Sequence, residues 1–428
     1  MSNVDDLPER TTPHYAVYQH EIFLRGAEKG QLPEFSTDPD ELEKKAQETP
    51  TKGGWLYASS NAGISWTHKA NRDAFYQWTI IPRMLVDTNK RDMSCTLKLG
   101  TSSWTFDAPF GFAPIGINKI YHPLGELKSA RVAGELNLPY CLSTAGSQPI
   151  ADVARAHDEG ARGAGRVEGE RARAQRRPFQ LYWPHNTDLT RSLLEDAVNN
   201  GYEACVLTTD SWQLGWRHGD IAAANYAFYR GVGHDLRRAN PVFSRMCADK
   251  GVTDLDSPEA GQYRINNVWH GRAWSWADLP ELVKLWKDLS GGKAFVIKGI
   301  QSVEDARRAA DTPGVDGIVV SNHAGRQVDG ATGSLDALEE IVRSGVGERL
   351  TIMFDSALAL GAQFVFLGRP WVYDISISGE AGVRHVMRSV LAEFDILLNV
   401  AGWTSTEEVR WEGGRYLVRS AAGGGAKL

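Results

Sequence analysis

Cysteine is scarce in this chain, and its placement excludes two classes of protein. Only four cysteines occur among 428 residues, at Cys95, Cys141, Cys205 and Cys247. None of them forms a CxxC pair or a spacing typical of a zinc site, and four scattered cysteines do not make a disulfide framework. The sequence therefore predicts reduced thiols, as in an intracellular protein, and no metal site.

Long apolar runs and a strong charge of either sign are also missing. The longest nearly apolar run, residues 357–368, is much shorter than the ~20 residues of a membrane-spanning helix. The N-terminal stretch has neither the basic start and apolar core of a secretory signal nor the composition of a transit peptide. The formal net charge is -6, which argues against a nucleic-acid partner. We expect a soluble protein with no membrane span.

What the chain does have is a repeating rhythm after about residue 108. Short apolar runs, each ending in a polar or glycine-containing turn, alternate with segments of helical periodicity. Parallel strands have this appearance when helices cover both faces of their sheet. Eight such runs occur, at residues 110–116, 139–144, 179–183, 204–210, 294–299, 317–323, 350–356 and 364–369. Eight strands predict an α/β fold of the (β/α)8 TIM-barrel type, and a doubly wound open sheet is the alternative.

Helix boundaries between these strands follow known signals. The periodic segment 188–200 is followed by Gly201, a residue that commonly ends helices. Ser302 begins a segment like a capping box, and another helix is expected from Ser334 to Gly345. The chain then divides into an N-terminal arm over residues 1–107, a barrel over 108–405 and a C-terminal tail over 406–428.

Polar residues stand at the carboxyl ends of the predicted strands, where TIM barrels carry their chemistry. A single histidine or aspartate there is more often a satisfied structural group. A whole rim of them is hard to explain structurally and predicts a common pocket. The set comprises Gln180 and Tyr182, Thr208 and Asp210, Lys298, Ser321 and His323, Asp355, and Gly368 and Arg369.

The residue types at this rim suggest chemistry on a carboxylic acid. His323 is a candidate general base, because imidazole titrates near neutrality, and Asp210 could orient it. Arg217 and Arg326 offer planar groups suited to a carboxylate, and Tyr182 offers a hydroxyl to a substrate oxygen.

The remaining rim residues indicate a second ligand. Lys298 supplies a positive charge where negative charge could develop. Gly368 and Arg369, beside Asp355, could hold a phosphate near strands seven and eight. The base, the arginines and the phosphate site together suggest an α-substituted carboxylic acid and a phosphate-bearing cofactor. Neither a nucleophile with its base nor an HExxH motif is evident.

The segment Ser321–Gln327, SNHAGRQ, resembles the active-site signature of the FMN-dependent α-hydroxy-acid oxidising family. That family includes glycolate oxidase, lactate oxidase and lactate 2-monooxygenase, and the last is the most similar type. The resemblance runs from about residue 50 to about 405. Its further motifs are PRML at 82–85, FAPIG at 112–116, FQLY at 179–182, LTTD at 207–210, VIKG at 296–299 and LGRP at 367–370.

The resemblance implies FMN-dependent oxidation of a small L-2-hydroxy acid, lactate-like, with O2 as acceptor, in a homo-oligomer that is often four-fold. His323 would take a proton from the substrate with Asp210 as its partner. Arg217 and Arg326 would hold the carboxylate, and Tyr182 the hydroxyl oxygen. FMN would contact Pro114, Ile115, Gly116, Ser143, Gln180, Thr208, Lys298, Ser321, Asp355, Gly368 and Arg369.

Two positions bear on subclass and substrate. Gly116 favours a monooxygenase slightly over an oxidase, because the oxidases tend to have alanine there; a tight strand end is the structural alternative. The family's substrate-binding tyrosine in the arm aligns with Leu56, and Tyr57 could serve in its place after a register shift.

Two segments depart from the family in length. Residues 160–177 form an insertion rich in glycine, arginine and alanine, interpreted as a solvated surface loop. Only residues 357–363 separate strands seven and eight, where a crossover usually takes a dozen or more residues. Either the barrel is locally distorted or the deduced sequence has lost about ten residues that grip the FMN phosphate. The alternative function is a barrel with impaired FMN binding, acting as an inactive or assembly subunit.

The last three residues, Ala426-Lys427-Leu428, resemble the Ser-Lys-Leu peroxisomal address. A glycine-rich tract precedes them and would present them to a receptor. A random match is the alternative, so the expected location is the peroxisome or the cytoplasm.

Overall fold

A computed structural model describes residues 7–49, 51–164, 176–230, 232, 236, 239–266, 270–355 and 360–419. Three features raised by the sequence lie wholly or partly outside these residues. They are the centre of the 160–177 insertion, the start of the link between strands seven and eight, and the Ala-Lys-Leu terminus.

Eight of the twelve strands in the described part of the chain are parallel and form the sheet that the sequence predicts. The strands in chain order are β1 (Trp78–Ile80), β2 (Cys95–Leu99), β3 (Ser102–Phe106), β4 (Phe110–Phe112), β5 (Leu142–Ser143), β6 (Arg177–Leu181), β7 (Tyr202–Thr208), β8 (Ala294–Ile300), β9 (Gly317–Val320), β10 (Thr351–Phe354), β11 (Phe364–Leu367) and β12 (Leu417–Arg419). The large sheet has the order β4-β11-β10-β9-β8-β7-β6-β5. A parallel bridge between Phe112 and Tyr140 joins its two ends and closes the barrel.

Helices alternate with the barrel strands as expected of a (β/α)8 barrel, except in the described part of the link between β10 and β11. They are α1 (Val17–Lys29), α2 (Pro39–Glu48), α3 (Lys52–Ser59), α4 (Trp66–Tyr76), α5 (Glu126–Glu135), α6 (Ile150–Gly163), α7 (Thr187–Asn199), α8 (His218–Ala222), α9 (Pro241–Ala248), α10 (Pro258–Arg264), α11 (Leu279–Ser290), α12 (Val303–Asp311), α13 (Ser334–Arg343), α14 (Arg369–Ala401) and α15 (Thr406–Tyr416). Among the described residues, no helix is both long and apolar enough to cross a bilayer.

The predicted helix signals are confirmed, with small shifts of boundary. Asn186 caps α7 through its side chain, which accepts from Leu189 N at 2.8 Å. Ser302 Oγ accepts from Asp305 N at 3.1 Å at the start of α12. Gly201, just after α7, has a positive φ of 77°, a conformation that glycine adopts without strain.

The first two barrel strands are shorter than the sequence suggests. β4 ends at Phe112, and residues 113–116 leave the sheet as a rim loop. Pro114 lies in that loop and has no N–H to give to a strand ladder. The FAPIG segment therefore supplies backbone at the rim of the barrel and only its first residue to the sheet.

Successive side chains along a strand point alternately into the barrel and outward, and this alternation decides which residues form the site. Val206, Val296, Val319 and Met353 point into the barrel and form one buried apolar cluster. Their strand neighbours Leu207, Ile297, Ile318 and Ile352 point outward and pack with the helices. Two residues beyond each inward position come the polar side chains of Thr208, Lys298, Ser321 and Asp355. These residues therefore form a polar inner layer at the carboxyl end of the barrel.

The N-terminal arm covers the barrel at its other end and along one side. The β2–β3 hairpin contributes Leu97, Leu99, Trp104 and Phe106 to the barrel's interior cluster. β1 pairs antiparallel with β12, so residues 417–419 pack back on the arm. The division into arm, barrel and tail stays a prediction.

Strands β10 and β11 pair in regular parallel register in spite of their short link. Met353 pairs with Phe364 and Phe354 with Val365. Gln363 N donates to Ile352 O at 2.8 Å. The strands are four residues long, about 13 Å, and an extended link of nine residues can reach ~30 Å. The barrel therefore closes without a helix in the described part of this link, residues 355 and 360–363. Loss of a segment from the deduced sequence stays a hypothesis.

Candidate active site

His323 and Asp210 form a buried pair at the centre of the rim. Nδ1 of His323 lies 2.7 Å from Oδ1 of Asp210, and Ser211 Oγ donates to the same oxygen at 2.7 Å. In the tautomer whose Nδ1–H donates to the Asp210 carboxylate, Nε2 of the imidazole keeps a lone pair. Burial lowers the pKa of His323, and the Asp210 carboxylate opposes that shift in part. At neutral pH His323 is thus ready to accept a proton.

The backbone at His323 is held in an uncommon conformation. His323 and Ala324 have φ values of 57° and 56°, in the left-handed region that side chains other than glycine rarely adopt. The amide of His323 donates to Ser321 Oγ at 3.1 Å, and Asn322 Oδ1 accepts from Gly325 N at 3.1 Å. This turn aims the imidazole at Asp210 across the barrel mouth, and such strain is typical of functional sites.

Lys298 holds a positive charge between two carboxylates. Its Nζ lies 3.4 Å from Asp210 Oδ2, 3.6 Å from Asp355 Oδ2 and 3.0 Å from Ser321 Oγ. Burial alone would lower the pKa of Lys298, but Asp210 and Asp355 raise it above its usual value. Burial would likewise raise the pKa of Asp210, but Lys298 and His323 hold it well below its usual range. Both Lys298 and Asp210 are therefore charged at neutral pH.

A small cavity of about 50 Å³ lies in front of His323. Tyr182, Arg217 and Arg326 line it, as the sequence predicts, and Tyr57 lines it as well. Burial first and Arg326 second lower the pKa of Arg217 to about 9, so Arg217 keeps its charge at neutral pH. The base and two arginines thus share one small pocket.

Tyr57, and not Leu56, reaches this cavity from the arm. The Arg326 guanidinium lies over the Tyr57 ring, 5.2 Å from its centroid. Leu56 instead faces Gly219, since a Cβ on that glycine would lie 3.3 Å from Leu56 Cδ2. The register-shifted alternative therefore agrees with the structure.

A chain of polar side chains crosses the barrel mouth beside Lys298. Ser143 Oγ donates to Gln180 Oε1 at 2.8 Å, and Gln180 Nε2 donates to Thr208 Oγ1 at 2.9 Å. All three residues are buried. The structure thus brings together the predicted residues of strands two to five.

Arg369 begins α14 directly after β11. Its Nε donates to Ala58 O at 3.1 Å and its Nη2 to Asn61 Oδ1 at 2.7 Å. Arg326 Nη1 donates to the same Ala58 oxygen at 3.0 Å. Two arginines predicted to touch ligands therefore also fasten the arm to the rim.

Comparison with known proteins decides the family. Residues 46–413 match the FMN-dependent dehydrogenase family. The chain belongs to this family. It is 36% identical over 399 residues to the FMN-dependent alpha-hydroxy acid dehydrogenase qulF of Penicillium citrinum, covering 91% of this chain and 93% of that protein.

Two further relatives agree. The L-lactate oxidase of Lysinibacillus sphaericus is 36% identical over 381 residues, which cover 86% of this chain and 90% of the oxidase. The crystal structure of a mandelate oxidase superposes with a TM-score of 0.69 at 27% identity, over 87% of this chain and 96% of the oxidase. The predicted TIM barrel, FMN cofactor and 2-hydroxy-acid oxidoreductase activity are confirmed.

The residues at the rim fit FMN at its ring and ribityl parts. Gln180, Thr208 and Lys298 present donors and acceptors suited to the polar edge of a flavin. Asp355 Oδ1 is buried and has no hydrogen-bond partner among the described residues, so it could accept from a ribityl hydroxyl. The N–H groups at the start of α14 suit a phosphate. The individual FMN contacts, from Pro114 to Arg369, stay predictions.

Gly116 has a packing reason that is independent of subclass. A Cβ at this position would lie 2.5 Å from Ala145 Cβ and 3.0 Å from Ala145 O. Such distances would force the two rim loops apart. The structural alternative therefore accounts for Gly116, and the choice between monooxygenase and oxidase stays open.

Proposed function

We propose that this enzyme oxidises a small, lactate-like L-2-hydroxy acid to the 2-oxo acid and passes the electrons to O2. One observation carries the proposal: the paired base His323 shares a cavity of about 50 Å³ with Arg217 and Arg326. A lactate-like substrate is supported by the similarity to a protein named L-lactate oxidase. O2 as acceptor is supported by the similarity to proteins named as oxidases.

The protein groups divide the work of this reaction. Arg217 and Arg326 bind the substrate carboxylate, and Tyr182 meets the substrate hydroxyl. His323 Nε2 takes a proton from the substrate, and ionised Asp210 stabilises the imidazolium that results. Bound FMN supplies the acceptor for the two electrons. Lys298 presents a fixed positive charge to the negative charge that develops nearby.

The first test is spectroscopic. The purified protein should show oxidised-flavin absorbance, which should bleach when L-lactate is added without oxygen and return on aeration. D-lactate is the matched control and should leave the spectrum unchanged. A protein that stays colourless with added FMN would refute the proposal. That result would favour the alternative, a barrel with impaired FMN binding. In that case a family-like loop inserted between Ser356 and Ala357 should restore flavin binding.

A second test concerns Tyr57. We propose that its hydroxyl binds the substrate carboxylate beside Arg326. A hydrogen bond to a charged group contributes about 1.5–3 kcal/mol, so Tyr57→Phe should raise KM by about 10-fold or more. The value of kcat should change by less than about three-fold. Leu56→Met is the control and should leave KM unchanged, and equal effects of both variants would contradict the role.

We also propose a homo-oligomer. Met84 and Leu85 are exposed apolar residues, and Val400 is exposed as well. Arg83 N donates to Ala401 O, which brings these two segments together. Exposed apolar residues on neighbouring segments are a feature of protein interfaces. The proposed four-fold state rests on the family resemblance.

For location we propose the peroxisome, with the Ala426-Lys427-Leu428 terminus as address. A green fluorescent protein carrying residues 417–428 should collect in peroxisomes. The same fusion without the last three residues should stay diffuse. Diffuse fluorescence of the full fusion would refute the idea and favour the cytoplasm.

A further inference from the structure

Gln327 lies at the end of the SNHAGRQ segment and faces the loop that follows β7. Its Nε2 donates to Asp210 O at 3.0 Å and to Gln213 O at 2.8 Å. Its Oε1 accepts from Gly215 N at 3.2 Å and from Arg217 Nη2 at 2.9 Å. Both donor hydrogens and both acceptor lone pairs of one amide are therefore used on a single loop.

That loop, residues 209–217, carries two groups of the site but has no helix or strand of its own. Asp210 at its start pairs with His323, and Arg217 at its end lines the substrate cavity. Such a segment needs outside contacts to keep one conformation. Arg217 Nε also donates to Arg326 O at 3.0 Å, so the loop and the His323 segment meet along their length.

The two segments touch through their backbones at Gly215. A Cβ there would lie 2.7 Å from both Arg326 O and Gln327 O. Only glycine allows this approach, and the approach places Gln327 within reach of four loop groups. The contact is therefore close enough to transmit a displacement of either segment.

We propose that Gln327 is a positioning residue, which sets Asp210 and Arg217 relative to His323 through its four hydrogen bonds. Gln327 also lines the cavity in front of His323, but the loop takes up all four hydrogen-bonding positions of its amide, so we assign it no bond to the substrate. Displacement of a catalytic group by about 1 Å can cost about 10²-fold in rate, so the amide has a catalytic consequence at a distance. Only an amide serves, because the loop presents two carbonyls and two N–H groups.

Two substitutions distinguish the donor side of the Gln327 amide from its acceptor side. Gln327→Met keeps the size and removes all four bonds. Gln327→Glu keeps an acceptor for Gly215 and Arg217 but places a carboxylate against the carbonyls of Asp210 and Gln213. Gln301→Met is the matched control, because this rim glutamine lies just after β8 and its side chain makes no hydrogen bond within the described part of the chain.

Hydrogen exchange followed by mass spectrometry is the first readout. In Gln327→Met the amides of residues 209–217 should exchange at least 10-fold faster than in the wild type, and in Gln301→Met they should not. Unchanged exchange in this loop would overturn the proposal. This readout does not depend on turnover, whereas a wild type without turnover would refute the proposed function alone.

Kinetics with the flavin-loaded enzyme are the second readout, and they rest on the proposed function. Gln327→Met should lower kcat/KM by about 10- to 100-fold, with a raised KM. Gln327→Glu should lower kcat while KM stays within about three-fold, because Arg217 keeps its partner. Losses that only follow flavin content or melting temperature, equally in all three variants, would overturn the proposal.

Discussion

Replacing His323 by glutamine is expected to lower kcat for the 2-hydroxy acid by about 10³-fold, within the range of 10² to 10⁴ that general-base catalysis contributes. Glutamine can still hydrogen-bond to Asp210, but it offers no basic atom to the substrate. The flavin spectrum should be retained, since the predicted FMN residues are untouched. Stopped-flow bleaching with L-lactate measures this step directly.

The titration of His323 should also set the pH dependence of kcat/KM. Burial lowers the pKa of His323, and Asp210 offsets part of that shift. The pKa of this base therefore lies below the ordinary ~6.5, and its imidazole is neutral at pH values above that pKa. The value of kcat/KM should therefore rise with pH through that pKa and level off near neutrality. In His323→Gln this limb should be absent. The control is His218→Gln at an exposed histidine, and a similar loss there would contradict the assignment.

The barrel was readable from the sequence because strands buried on both faces leave unmistakable apolar runs. The two-residue alternation also predicts that Thr208, Lys298, Ser321 and Asp355 lie on one rim. Each of these inferences needs only neighbours along the chain. They depend on the two-residue alternation within a strand, which does not change with the conformation of the loops.

The features that sequence reasoning missed depend on contacts between distant loops. Gln327 stood in the recognised motif, but its partners lie 110 to 117 positions earlier along the chain. The positive φ of His323 had no glycine to signal it. The link between β10 and β11 is shorter than the usual crossover, yet the two strands pair in parallel register, which the length rule alone does not predict.

Removing the Asp395 carboxylate is expected to cost about 3–5 kcal/mol of stability, because it breaks a buried ion pair from one side. Asp395 lies on α14 and is fully buried. Arg10 donates to both of its oxygens, at 2.9 and 2.7 Å, and Arg91 Nε donates at 2.6 Å. The amide of Ala16 adds a fourth bond at 2.9 Å. Asp395→Ala would leave two arginines without this partner where the arm meets the barrel.

Urea unfolding followed by circular dichroism tests this prediction, with Asp311→Ala as control. Asp311 pairs with Arg349 at the surface, and exposed pairs contribute ~0–1 kcal/mol. Burial would raise the pKa of Asp395, but Arg10, the Ala16 amide and Arg91 together lower it below its usual value. A lowered folded-state pKa gives stability that is present above the unfolded-state value of ~3.9 and is lost as pH falls through the folded one. The difference in free energy of unfolding between wild type and Asp395→Ala should therefore be constant from pH 5 to 7 and become smaller below about pH 4. A difference under about 1 kcal/mol at pH 7 would contradict the prediction and show that other contacts hold the arm.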